Sequence, residues 1–259
     1  MIIENNSIGY PPSAQRVRAE PEKELNTMTP KKGYYNENTL RKFADAIQAA
    51  KLRLDGGELT KVHFSAANSK MGAVASVSLV PFFSCPSRCA TTCGEYCYAA
   101  KLANLRANVL KSYAENMVLA LYRPSDFWQQ IRDYVRGVRF FRFHVSGDII
   151  NAAYFAEMVK TAVSAPHCEF LAFTKRWEVV NDYISERGEL PKNLHILFSG
   201  EANLKPINPH SMPETTIFER NEEPREDWKL CGGNCFECGC RGVGCWQLQR
   251  GDVLAFRKH

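Results

Sequence analysis

Two hydrophobic periods alternate along the chain and predict strands and helices in turn. Short apolar runs predict β-strands over residues 74–83, 139–145, 169–173, 194–198 and 215–218. Segments with helical spacing predict helices over residues 38–54, 99–122, 125–135, 151–164 and 177–185, with Ser125 as a cap. Such alternation is typical of an α/β fold with a parallel sheet. About four or five units follow residue 70, fewer than eight, which favours an incomplete (βα) TIM-type barrel.

Composition and patterning divide the chain into three parts. Its 259 residues are 45% hydrophobic and 24% charged, as in folded proteins. Residues 1–36 are polar and predict an extended arm, residues 37–225 predict the partial barrel, and residues 226–259 form a cysteine-rich segment. The net charge of +5 is dispersed, so it permits a nucleic-acid partner without arguing for one. We expect no membrane span and no secretory signal, and therefore a cytoplasmic protein.

Nine of the ten cysteines fall into two tight groups, and only Cys168 stands alone. In a reducing compartment, clustered cysteines indicate metal or redox chemistry more than a disulfide scaffold. Cys168 lies in an apolar run and is interpreted as a small core residue.

The first group comprises Cys85, Cys89, Cys93 and Cys97, at four-residue steps in a loop directly after a predicted strand. Thiolates are ligands for both zinc and iron–sulfur clusters. Zinc sites usually consist of two separated cysteine pairs, whereas these four share one loop. The pattern therefore favours an iron–sulfur cluster held by three of the four, with zinc and free thiols as the alternatives.

The second group lies in a glycine-rich stretch near the C-terminus. Its predicted ligands are Cys231, Cys235, Cys238 and Cys245, and Cys240 is the spare. A four-thiolate set leaves no open position, which indicates a structural or electron-transfer role. Zinc and a second 4Fe–4S cluster are both compatible with this group, and a zinc knuckle that contacts nucleic acid is one form of the zinc alternative. A disulfide is the least favoured interpretation.

Three successive predicted strands end in polar turns, which predicts one shared site at their carboxyl ends. If the first of these strands alternates to its end, His144, Ser146 and Asp148 share a face. The next two turns begin at Thr174 and Ser199. The ordinary alternatives are a core histidine for His144, a capping or turn residue for Asp148, and a solvated turn after Thr174.

The first cysteine loop resembles that of the radical S-adenosylmethionine superfamily, because closely spaced cysteines follow a strand and Tyr96 precedes Cys97. The superfamily spacing is three residues then two, whereas three residues separate each successive pair here. The resemblance implies a 4Fe–4S cluster that binds S-adenosylmethionine. Asp148 would bind its amino group, and Lys175 or Arg176 its carboxylate or a substrate anion. The implied cofactor contacts are Tyr96, Ser146, Gly147, Asp148, Thr174, Lys175, Arg176 and Ser199, and the implied catalytic residues are His144, Asp148 and Lys175.

From about residue 70 the chain also resembles a family of phages and mobile elements named gene product 88. The matching stretches are Cys85-Pro86, residues 93–99 with Lys101, residues 141–148, residues 170–176 and Cys245-Trp246. In that pattern Cys85, Cys93 and Cys97 match the recurring cysteines, and Cys89 is additional. A phage origin would make the host cytoplasm the location.

Three functions are compatible with these features. The leading hypothesis is a radical S-adenosylmethionine-like enzyme that acts on a nucleotide or nucleic acid and receives electrons from a donor protein. The first alternative is a zinc-bearing, transglycosylase-like enzyme that modifies nucleobases, with Asp148 as nucleophile or base. The second is a non-catalytic, metal-stapled nucleic-acid-binding protein, although such proteins usually carry a basic stripe.

Overall fold

The computed structural model describes residues 33–201 and 204–257. Most of the predicted arm over residues 1–36 therefore lies outside the described residues. The α-helices are α1 Glu37–Asp55, α2 Tyr98–Leu105, α3 Ala107–Tyr122, α4 Pro124–Val135, α5 Ala152–Ser164, α6 Trp177–Arg187 and α7 Cys235–Arg241. The strands are β1 Phe64–Ser65, β2 Ala75–Val77, β3 Phe140–Phe143, β4 Glu169–Thr174, β5 Leu194–Ser199, β6 Glu214–Phe218, β7 Lys229–Leu230 and β8 Val253–Arg257. Single 3-10 turns span Ser87–Ala90, Cys93–Glu95 and Gly244–Trp246.

One eight-stranded sheet organises the described residues, in the order β1-β2-β3-β4-β5-β6-β8-β7. Every neighbouring pair is parallel except β1 with β2. This mostly parallel sheet with its helical crossovers confirms the predicted α/β class. Among the described strands, β1 and β7 do not pair with each other, so the sheet is open along both edges. Strands β2 to β6 lie in chain order. Crossovers between parallel strands are right-handed as a rule, which would put the helices that connect β2 to β5 on one face.

The helix-covered face holds an aromatic core. Phe141, Phe143 and Phe170 are fully buried there. The ring centroids of Phe143 and Phe170 are 5.7 Å apart, and Trp128 of α4 lies 6.1 Å from Phe143. Burial of side chains this large is worth about 1.5–3 kcal/mol each, so this layer anchors α4 to the sheet.

The opposite face is covered by the cysteine-rich segment. Because strand residues alternate in direction, Phe140 points away from the core around Phe141. The Phe140 ring lies 5.0 Å from Trp246, whose indole Nε1 donates to the Cys235 carbonyl at 2.9 Å. A Cβ added at Gly239 would come within 2.7 Å of the Phe140 ring, so α7 approaches the sheet closely. The segment is therefore part of the same packed unit as the sheet.

Most predicted elements are found within one or two residues of their predicted bounds, and the exceptions have local causes. The predicted strand over residues 74–83 ends at Val77, and the helix over residues 99–122 divides at Arg106, which has extended backbone. Ser125 is not a cap, because Pro124 occupies the first helical position, where its fixed φ suits a helix start. The predicted strand over residues 139–145 ends at Phe143, because His144 has a positive φ of 59°.

No helix in the described part of the chain is long and apolar enough to cross a membrane.

Candidate metal centre and strand-end site

A buried carboxylate joins the ends of β3 and β4. Asp148 Oδ1 accepts hydrogen bonds from the Thr174 hydroxyl at 2.6 Å and from the Ile149 amide at 2.7 Å. Asp148 Oδ2 accepts from the Lys175 amide at 2.8 Å. Burial raises the pKa of Asp148, while these hydrogen bonds oppose the rise. With three donors in place, the carboxylate fixes the turn that begins at Thr174.

The next contact joins the ends of β4 and β5 to the cysteine loop. Lys175 Nζ lies 3.2 Å from Glu201 Oε1, and the Tyr96 hydroxyl donates to Glu201 Oε2 at 2.6 Å. The Lys175 and Glu201 side chains are only 13% and 11% exposed. The structure therefore brings together the three strand ends that the sequence singled out, and it adds Tyr96 to them.

The four thiols of the first group converge on this point. Cys89 is buried and hydrogen-bonds both Cys85 and Cys93, which raises its own pKa. The bond from Cys89, together with the positive charge of Lys175, lowers the pKa of Cys93 to about 7. Burial raises the pKa of Cys97 to about 12, and its sulfur accepts the Ala100 amide at the start of α2. Cys93 is thus the thiol of this group whose anion Lys175 stabilises.

The turn after β3 packs against the start of the cysteine loop. Ser146 Oγ donates to the Leu79 carbonyl at 2.9 Å, and the Asp148 amide donates to Ser84 Oγ at 3.3 Å. Gly147 has a φ of 85°, and a Cβ there would lie 2.4 Å from Ser84 Oγ. Only glycine fits this position without movement of the loop. Ser146 and Gly147 therefore hold the loop and the strand end in contact.

His144 lies elsewhere, in the helix-side core. Its Nε2 is 3.0 Å from the Tyr154 hydroxyl of α5, and burial lowers its pKa to about 3. The prediction that His144, Ser146 and Asp148 share one strand face is wrong, because β3 ends before His144. The catalytic role of His144 stays a prediction.

Two further predicted cofactor contacts occupy strand ends. The Arg176 amide donates to Thr174 Oγ1 at 2.9 Å, so its backbone completes the turn that Asp148 holds. Ser199 is the last residue of β5 and pairs in register with Thr215. The contact of both residues with a cofactor stays a prediction.

The second group forms a separate cluster at α7. Cys245 interacts electrostatically with Cys231, Cys235 and Cys238, and burial raises its pKa to about 12. A Cβ added at Gly232 or Gly244 would lie 3.3 or 3.4 Å, respectively, from the Cys238 sulfur. Because glycine has no side chain, the backbone at both positions can wrap closely around these thiols. Cys240 is exposed. The structure thus gathers the four cysteines that the sequence favoured as ligands.

All ten cysteines are free thiols. Within residues 33–201 and 204–257, no three His, Cys, Asp or Glu side chains already surround a point where one metal ion could bind. A tetrahedral zinc site needs thiolate sulfurs about 3.8 Å apart, given Zn–S bonds of about 2.3 Å. Metal binding at either group therefore requires rotation of cysteine side chains.

One contributor escaped prediction from the sequence. Glu201 lies in the polar turn that begins at Ser199, and the turn alone assigns it no role. Its partners Lys175 and Tyr96 come from distant parts of the chain, which a linear pattern does not reveal.

Comparisons with known proteins identify a family. The family model described as Gene product 88 matches residues 34–244, well over half of the chain. No curated protein and no solved structure matches the chain.

Proposed function

The chain belongs to the Gene product 88 family, and on that premise we propose that it is an iron–sulfur enzyme of the radical S-adenosylmethionine type. The observation that carries the proposal is the convergence of four thiols from one loop on the carboxyl ends of parallel strands, beside the Lys175–Glu201 pair. In α/β folds that end of the sheet is where ligands bind. A partly closed barrel would present the same edge to a substrate.

The donor set fits a cluster by its chemistry. Cysteine thiolates are the usual ligands of 4Fe–4S clusters, and Cys85, Cys93 and Cys97 flank the buried Cys89 in one short loop. Lys175 supports thiolate formation at Cys93. Three of the four thiols would hold the cluster, and S-adenosylmethionine would bind beside it. When bound, that pair supplies a carbon radical that abstracts hydrogen from a substrate.

The protein's own residues position and shield this chemistry. Asp148 holds the Lys175 backbone, so the Lys175 ammonium stays beside Cys93 and Glu201. Tyr96 ties Glu201 to the loop. Lys175 is then the residue best placed to bind the carboxylate of the cofactor or an anionic substrate such as a nucleotide. Three hydrogen-bond donors already occupy the Asp148 carboxylate. We therefore assign Asp148 a positioning role in preference to direct binding of the cofactor.

The second cysteine group would hold a second centre, either zinc or a 4Fe–4S cluster. Four thiols of this set lie together and Cys240 stays outside. Its place against the sheet, under Trp246 and Phe140, suits a structural or electron-transfer role more than a reacting one. A donor protein would then deliver electrons to the chain.

The transglycosylase-like alternative needs an accessible nucleophile, and Asp148 is 4% exposed with three hydrogen bonds. The non-catalytic alternative makes no use of the buried Lys175–Glu201 pair. Both are therefore less well supported than the iron–sulfur proposal.

Anaerobic purification followed by iron, sulfide and zinc analysis tests the proposal. We expect a brown protein in which Cys93→Ser removes one cluster's worth of iron, sulfide and absorbance, whereas the matched control Cys240→Ser keeps them. Reduction with dithionite in the presence of S-adenosylmethionine should yield 5′-deoxyadenosine. Stoichiometric zinc without sulfide at the first group would refute the proposal.

A further inference from the structure

Helix α2 turns its large apolar side chains toward the surface. Tyr98, Lys101, Leu102 and Leu105 follow one another at helical spacing and form the outer face of α2. Tyr98, Leu102 and Leu105 are 61%, 38% and 73% exposed, and Lys101 is exposed as well. The buried side of the helix carries small residues, namely Ala99, Ala100 and Ala103. Because folding leaves a contiguous apolar strip exposed, the outer face is suited to bind a partner.

The outer face of α2 adjoins the strand-end site around Asp148 and Lys175. Helix α2 begins directly after Cys97, the last thiol of the first group. The Tyr98 hydroxyl donates to the Val145 carbonyl, two residues beyond the end of β3. This bond fixes the ring at the edge of the sheet, while the residue remains largely exposed. A molecule bound along α2 therefore reaches the carboxyl ends of the strands.

Positive charge surrounds the outer face of α2. Residues 96–114 contain no Asp or Glu, and they include Lys101, Arg106 and Lys111, which are all exposed. Among the described residues, neither Lys101 nor Arg106 takes part in an ion pair. Helix α1 adds the exposed Lys42, whose Nζ donates to a carbonyl of α2 at 2.6 Å. Apolar groups bordered by unpaired cations complement a polyanion that also has apolar surface.

Single-stranded nucleic acid is the polyanion that matches both properties. Its phosphates pair with lysine and arginine, and its bases stack on exposed aromatic rings. In a duplex the bases are stacked on each other, so a surface ring such as that of Tyr98 finds no free base. An acidic protein would match the cations without any need for an aromatic ring.

We propose that the outer face of α2 binds single-stranded nucleic acid and leads it to the strand-end site. The inference deepens the proposed function by naming its substrate class, and it rests on that function only for the reaction that follows binding. Tyr98 stacks on a base, while Lys101 and Arg106 pair with phosphates. Leu102 and Leu105 pack against neighbouring bases on the same side of the helix.

Fluorescence anisotropy of a labelled oligothymidylate of about 20 nucleotides tests this surface on the full-length, anaerobically purified chain, because the probe exceeds the usual single-strand footprint. Tyr98→Leu removes the ring and should weaken binding about 5–150-fold, whereas Tyr98→Phe should bind nearly as tightly as the parent. The double variant Lys101→Gln/Arg106→Gln removes two phosphate contacts. Its slope of log affinity against log salt should become shallower by about 1.4.

The matched control, Arg187→Gln/Lys192→Gln, removes the same two charges from exposed positions between the end of α6 and the start of β5. Because these positions lie at the amino ends of the strands, the control should keep the affinity and the salt slope of the parent. Urea midpoints of all variants show whether a loss of binding comes from a loss of stability. The Lys101→Gln/Arg106→Gln variant changes only exposed side chains, so its midpoint should match that of the parent.

Unchanged binding in Tyr98→Leu, or an unchanged salt slope in Lys101→Gln/Arg106→Gln, would overturn the inference, as would an equal loss in the control. Tighter binding of a duplex of equal length, or displacement of the probe by polyglutamate at equal charge, would assign the surface to another polyanion and overturn it too. A parent chain that does not bind the probe at low salt overturns this inference and leaves the iron–sulfur proposal standing. Zinc without sulfide at the first group refutes the proposed function, yet salt-dependent binding through Tyr98 would still support this surface.

Discussion

Replacement of Asp148 separates a positioning role from direct contact with a cofactor. In Asp148→Asn, the amide oxygen can take the Oδ1 position and keep the bonds from Thr174 and Ile149. The amide nitrogen then faces the Lys175 N–H, donor against donor. A lost bond to a charged acceptor costs about 1.5–3 kcal/mol, and relief from burying a carboxylate offsets part of it. We expect a loss of about 1–3 kcal/mol in the free energy of unfolding.

The alanine variant extends the same reasoning. Asp148→Ala leaves three buried donors without an acceptor, each worth about 1–3 kcal/mol, and water that enters the space lowers the sum. We therefore expect a loss of about 3–6 kcal/mol. Thr174→Val removes one of the three bonds, and Asp148→Ala already removes the same bond, so the effects of these two changes should be less than additive.

Urea unfolding of the reduced, metal-free chain, followed by circular dichroism, gives these free energies by linear extrapolation. Iron content and binding of S-adenosylmethionine are then measured on the same variants. If Asp148→Ala keeps the stability of the parent but abolishes cofactor binding, Asp148 is a direct ligand and the positioning argument is refuted.

Three further predictions follow from buried groups and from backbone conformation. Burial lowers the pKa of His144 to about 3, so the free energy of unfolding should fall by about 1.4 kcal/mol per pH unit as the pH drops below about 6.5. In His144→Asn, whose asparagine tolerates the positive φ at this position, a plot of urea midpoint against pH should be flatter on the acid side. Gly147→Ala should lower the free energy of unfolding in urea by about 2–4 kcal/mol, because its Cβ would lie 2.4 Å from Ser84 Oγ. The control Gly57→Ala has a similar φ of 77° but open space around the new Cβ, and it should cost about 1 kcal/mol. Equal losses in the two variants would contradict the steric argument. Lys175→Met should slow iodoacetamide alkylation of Cys93 at pH 7 in the metal-free protein, measured by mass spectrometry, and an unchanged pH profile would show that Lys175 does not stabilise the thiolate.

Local sequence patterns predicted much of the fold. The helix over residues 151–164 and the strands over residues 169–173 and 194–198 are found almost as predicted, because hydrophobic periodicity and capping residues are local properties. The predicted strand bounds were wrong where the backbone conformation of a single residue ends a strand. His144 continues the apolar run of β3 in sequence, yet its left-handed backbone ends the strand and turns its ring into the helix-side core.

For the site, the sequence by itself determined which chemical groups are available, and the tertiary structure decided how they are arranged. The two cysteine groups, the exclusion of Cys240 and the three polar strand ends were all visible as residue types at regular spacing. The pairing of Lys175 with Glu201 and the hold of Asp148 on the turn required neighbouring parallel strands to bring their carboxyl ends together. The contact between Phe140 of the sheet and Trp246 of the cysteine-rich segment joins residues far apart in the chain, so no local pattern encodes it.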